Sequence, residues 1–381
     1  MALGRHVDGL VDAFYGPAEL AARVAAEPVR PPAELAARAR RLLADLADGR
    51  ELEASRSRYL AAQVDGLRTT AIRLSGEPIG YADEVEACYG VRPKLVPEDE
   101  LDAAHRRLDE VLPGSGRLED RFIAWREAQV VPVERLQEAV AALAEDLRER
   151  TDRLWGLPEG ERVDFELVSD QPWSGFNYYL GGLRSRVAIN TDLPVLSTGV
   201  AHLVAHEAYP GHHTEHTRKE VGLVRRRRRL EETIFLVGTP QCLLAEGLAD
   251  LGLEVVVGPR PESVVASHLR PLGIPYDADL VASVSPAAET LGAVRGNAAL
   301  LLHDRGADED AVIDYLARWG LMSRPRAAHG VRFLADPTWR AYIFCYVEGL
   351  PLCRRFVAGD PSRFERLISE QLIPADLEAA V

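Results

Sequence analysis

The sequence predicts a mainly α-helical protein with one small β element, and three observations carry that prediction. Apolar residues recur three or four positions apart through most of the chain, in segments rich in Ala, Leu, Arg and Glu, as amphipathic helices require. Only the stretches VDFELV (163–168) and RVAI (186–189) alternate or cluster β-branched residues between turn signals, as short strands do. Hydrophobic residues make up 47% of the 381 positions, enough for a large core. We therefore read residues 1–155 as an N-terminal helical region and 156–381 as a region holding the β element and the C-terminal helices, joined in one helical body.

Along residues 2–153 the pattern is helical almost throughout, with helices over 32–47 and 52–74. Breaks fall at Gly16-Pro17, Pro31-Pro32, Gly76-Glu77-Pro78 and Pro113-Gly114. A further helix opens at Pro132 and carries Leu136, Val140, Leu143 and Leu147 on one face. Between the two strands lies DQPWSGFNYYLGGL (170–183), which reads as an aromatic loop that either lines a cleft or simply covers the helices. The strand 186–190, if exposed at a sheet edge, could pair with an extended peptide. A helix then begins near Val195. The five arginines 225–229 cover every face of a helix, and read first as a solvated face, otherwise as partners for internal acids or an anionic group. Glu289, Arg295 and Asn297 interrupt the apolar stretch 286–303 and read as internal hydrogen-bonding groups. In 339–357, Tyr342 and Tyr346 lie four apart on one helical face.

Composition excludes several function classes. A net charge of -14 argues against a nucleic-acid surface, which must neutralise phosphates. No apolar run approaches the roughly 18 residues of a membrane span, and MALGRHVDGL is too polar for a signal peptide. Four cysteines with no paired spacing suggest reduced thiols, so the expected location is the cytoplasm.

Chemistry concentrates at residues 202–216, HLVAHEAYPGHHTEH, where five of the ten histidines are interleaved with Glu207 and Glu215. Imidazole and carboxylate at short spacing suit zinc, so a metal site is expected. In an unbroken helix His206 and His212, six apart, would point roughly 240° away from each other. Pro210 and Gly211 break the helix between them and could swing His212 back. Two other pairings are compatible with the residues. His202 and His206 share a helical face, and His212, Glu215 and His216 spell the inverted zincin order with Glu215 as base. His213 follows the same break as His212 and could replace it. A metal-free polar helix end is the remaining alternative. A third ligand is sought in QCLLAEGLADLGLE (241–254), where Glu246 and Asp250 interrupt an apolar helix four residues apart. Glu246 would be the ligand, with Asp250 accepting the second ring N–H of a ligand histidine.

HEAYPGHH (206–213), followed by a helix containing Glu-Gly, resembles the signature of the bacterial domain-of-unknown-function 885 family. Further matches follow in order: VDAFYGP (11–17), LPGSG (112–116), GGLRSRVAIN (181–190), AEGLA (245–249) and YVEG (346–349). The resemblance implies a zincin-like metallohydrolase with His206 and His212 as ligands, Glu207 as general base and Glu246 as third ligand. Tyr346, in the last matched segment, is the phenol expected to stabilise an oxyanion. The expected activity is zinc-assisted hydrolysis of an amide in a peptide substrate. The alternatives are a non-catalytic metal-binding helical protein, and a metal-dependent hydrolase of a non-peptide amide or ester.

Overall fold

The computed structural model describes residues 1–49, 52–171 and 173–380. The chain is mainly helical, at 64% helix and 8% strand. The apolar face of Val133–Trp155, predicted from its spacing, is the buried one, with Leu136, Val140, Leu143 and Leu147 all inside. Helices Pro32–Asp48 and Ala54–Leu74 begin and end close to the bounds set by their prolines and glycines. Among the described residues no helix is long and apolar enough to cross a membrane.

The helix Pro240–Val257 lies at the centre, buried along most of its length, as an all-round apolar helix must be. It crosses Ile343–Val357 where two glycines meet. A Cβ on Gly247 would lie 2.4 Å from the Gly349 carbonyl oxygen, so the two backbones touch there. That crossing sets Tyr342 and Tyr346 against the acids of the central helix. The main hydrophobic cluster joins this pair to Tyr81–Tyr89, Glu98–Val111 and Leu118–Glu127, so the core runs across the boundary at residue 155.

Among the described residues five strands form two sheets. β1 (Val11–Phe14) pairs antiparallel with β5 (Ile234–Leu236). β2 (Arg162–Val168), β3 (Gly175–Gly181) and β4 (Arg184–Asn190) form a sheet in the order β2-β4-β3. Its buried side chains, Val187 and Ile189 among them, pack in a second hydrophobic cluster with Leu143, Val200 and Val204.

Three expectations are corrected. The N-terminal region is not wholly helical, because β1 gains its pairing only from a segment far along the chain, a contact that overrides local propensity. The aromatic stretch 170–183 is not one loop. Asn177 and Tyr179 are buried while Phe176, Tyr178 and Leu180 are more open, an alternation hidden because aromatics occupy both faces. Residues 186–190 do not form an edge: β4 is central, paired on both sides, and β2 and β3 are the edge strands.

Candidate metal centre

The helix bearing His202 and His206, Ser197–Glu207, starts two residues later than expected and stops at Glu207. Residues 208–211 then reverse the chain, and His212 opens the next helix, His212–Lys219. The turn is held by the Gly211 N–H, which donates to the Ala205 carbonyl at 2.9 Å, and by the Thr214 hydroxyl, which donates to the Ala208 carbonyl at 3.1 Å. Pro210 seats on the central helix opposite Gly252, where a Cβ would come within 2.9 Å of its ring. The break is thereby docked over the turn that carries Glu246 and Asp250.

This arrangement brings His206, His212 and Glu246 together. The two histidine Nε2 atoms are 3.1 Å apart, and each lies 3.4 Å from an oxygen of the Glu246 carboxylate. At zinc–nitrogen distances of about 2.0–2.1 Å, the edges of a tetrahedral donor set are about 3.3–3.4 Å. The spacing therefore fits one small divalent cation among the three groups. Asp250 accepts a hydrogen bond from His206 Nδ1 at 2.8 Å, which leaves Nε2 as the lone-pair atom turned toward the other donors. Tyr342 donates its hydroxyl to Glu246 Oε1 at 2.9 Å. Glu246 Oε2, by contrast, is buried with no hydrogen-bond partner. A buried carboxylate oxygen without a donor is costly, and a cation is what this geometry offers it.

Charge balance points the same way. Asp12, Glu207 and Glu246 face one cavity of about 70 Å³ together with His206, His212, His216 and Tyr346. Burial raises Asp12 to about 7, and Glu246 and Glu207 add to that rise against the pull of His212. Glu207 is also raised, first by burial, although His206 and His212 pull against it. Glu246 is lowered to about 2: burial alone would raise it, but His206 and His212 outweigh that. Burial alone would likewise lower His206, yet Asp250 and Glu246 raise it well above its ordinary value. Acids crowd around two imidazoles, with no lysine or arginine among the cavity's lining.

The other candidates are placed elsewhere. His213 is fully buried between Glu161 Oε2 and Ser185 Oγ, at 2.8 Å each. Glu215 accepts from Lys219 Nζ at 2.6 Å. His216 lines the cavity but stacks on Tyr179, with ring centroids 4.7 Å apart. These positions do not converge as the inverted order would require. His202, His206 and Asp250 form a second grouping, but His202 is exposed and the Asp250 carboxylate already accepts from His206 Nδ1. Glu207 opens onto the cavity at the end of its helix, beneath the edge strand β3. Asn177 of that strand donates to the Glu207 carbonyl at 2.5 Å, and its own Oδ1 is buried without a partner. Tyr346 also lines the cavity, its ring centroid 5.4 Å from that of Tyr342.

Asp12 is the cavity residue that the sequence reading missed. The register of β1 shifts between Val11 and Ala13, so Asp12 is the extra residue of a β-bulge, a device that re-aims a side chain. Its only signal was membership of the matched segment 11–17. The arginine run is divided: Arg225 pairs with Glu220, Arg226 to Arg228 are exposed, and Arg229 is buried against Gln371 and Glu53.

No protein-family model and no curated protein matches this sequence. Among solved structures, the chain is similar to "the putative lipoprotein from Colwellia psychrerythraea", with a TM-score of 0.53 at 15% identity, over 89% of this chain and 64% of that one. The chain thus spans less than two thirds of that protein's length, and the likeness is one of fold.

Proposed function

We propose that this protein is a zincin-like, zinc-dependent hydrolase that cleaves an amide bond in a peptide. The observation that carries the reading is the convergence of His206, His212 and Glu246 at tetrahedral edge lengths around an unpartnered carboxylate oxygen. Those three residues would hold the ion, which supplies Lewis acidity toward a carbonyl and makes water more acidic. Asp250 holds the His206 ring in the tautomer that presents Nε2. Glu207, buried and raised in pKa, takes the proton from the attacking water and delivers it to the leaving amine. Tyr346 donates to the oxyanion; Tyr342 is committed to Glu246. An extended peptide has the free edge of β3 beside the cavity to pair with, and Gly175 leaves room against Glu207. A cytoplasmic, reducing setting fits the four cysteines, each free and buried.

The test is Glu207→Gln. We expect it to retain stoichiometric zinc, measured by elemental analysis, while peptide hydrolysis falls by about 10²–10⁴-fold. Normal turnover in that variant would remove Glu207 as the base. Absence of zinc from the wild type after metal loading would remove the hydrolase reading altogether.

A further inference from the structure

A cleft of about 1090 Å³ opens beside the metal cavity, with Tyr346 and Asp250 in its wall. Its volume is at the upper end for a small-molecule site and accommodates several residues of an extended chain. Arg126, Arg295 and Arg326 line it. Arg295, expected from sequence to bond internally, has no hydrogen-bond partner among the described residues. Asn297 takes that role, donating to the Val96 carbonyl at 2.8 Å, and Glu289 is held by Arg354 at 2.6 Å. None of the three cleft arginines has an ion-pair partner among the described residues; Arg126 has only the Phe122 ring, 5.8 Å from its guanidinium. Of the acids in the wall, Glu289 is engaged by Arg354, Glu348 feels Arg355 and Lys94, and Glu100 and Glu127 are exposed. The three cations act on each other instead. Burial, then Arg326 and Arg295, lowers Arg126 to about 10. Arg126 is half-buried while Arg295 and Arg326 reach solvent, so an anion entering the cleft of this protein, whose net charge is -14, meets three guanidinium groups with no ion-pair partner among the described residues. Guanidinium pairs bidentately with a carboxylate, a geometry a lysine cluster would not favour.

We propose that this cleft receives the substrate peptide and that Arg126, Arg295 and Arg326 hold a carboxylate of it, either the C-terminal group or an acidic side chain. The proposal rests on the peptidase reading, and its test is a binding measurement that does not depend on turnover. Zinc-loaded protein carrying Glu207→Gln is titrated calorimetrically with three probes: acetyl-trialanine as the free acid, the same peptide as its C-terminal amide, and that amide with one alanine replaced by glutamate. At least one carboxylate probe should bind about tenfold or more tighter than the plain amide, and the gap should close in Arg295→Gln and in Arg126→Gln/Arg326→Gln. Preference for the free acid assigns the C-terminal carboxylate; preference for the glutamate amide assigns a side chain. Equal affinity for all three, binding of none, or a preference that survives in both folded arginine variants overturns the proposal. Turnover of the same peptides by the wild type is assayed separately, so a failure of the hydrolase reading shows there and not in the binding comparison.

Discussion

Tyr342 and Tyr346 stand one helical turn apart at the same cavity, yet their surroundings separate their roles. The Tyr342 hydroxyl is spent on Glu246, whose other oxygen makes no hydrogen bond and has only His206 Nε2 at 3.4 Å, so removing it loosens the orientation of the proposed metal ligand. Tyr342→Phe should weaken zinc about 10–100-fold, the usual cost of losing an outer partner of a ligand. Tyr346 is 40% exposed and borders both the cavity and the cleft, so Tyr346→Phe should leave zinc affinity unchanged and lower kcat about 10²-fold. Zinc titration and steady-state kinetics on the two variants check the split; equal effects on both quantities would refute it. The sequence distinguished these phenols poorly, since spacing puts both on one face and only the crossing of two helices decides which meets the acid. Asp12 was illegible for a related reason. A single acid in a short strand carries no pattern, and its direction comes from a bulge formed against β5.

The Pro-Gly break, in contrast, was legible, because a proline at that position cannot continue a helix and the glycine after it leaves the backbone free to turn His212 back. What the reversal requires is close contact of backbones. A Cβ at Gly211 would lie 2.0 Å from the His206 carbonyl oxygen and 2.6 Å from that of Ala205, and neither atom can swing aside as a side chain could. Gly211→Ala must therefore push the start of His212–Lys219 away from the end of Ser197–Glu207, widening the His206–His212 pair. We expect a loss of about 1–3 kcal/mol in stability, the range for forced overpacking, together with a larger loss of zinc affinity. Thermal unfolding and competitive zinc titration measure the two. Wild-type zinc binding in this variant would mean that the two helices are not locked as described. The strands were read less well: β2 and β4 carry β-branched runs, whereas β3 has aromatics on both faces and glycines at its ends, so its period of two was obscured.

The helical body and the site differ in what holds them. Glu246 sits between Ala245, Leu248 and Ala249, all in the main core, and His206 between Ala205 and Ala208, both in the second cluster. Each helix that carries a proposed ligand is thus pinned by apolar neighbours that belong to large clusters, one of them spanning both halves of the chain. That is why helix periodicity and overall composition were sufficient to read the body, while the cavity, assembled from β1, β3, β5 and four helices, required the fold. It also sets the expected result of removing the ion. In small zinc-dependent domains metal binding supplies the folding free energy, and chelation unfolds them. In this protein the clusters do not involve the ligands, so chelation should leave the far-ultraviolet circular dichroism unchanged and keep one cooperative transition. The ion adds only its mass-action share, about 2.7 kcal/mol at a hundredfold excess over Kd, and Tm should fall by several degrees at most. Collapse of helicity on chelation would show that the ion is a structural staple, and the case for an ion placed there to do chemistry would fail with it.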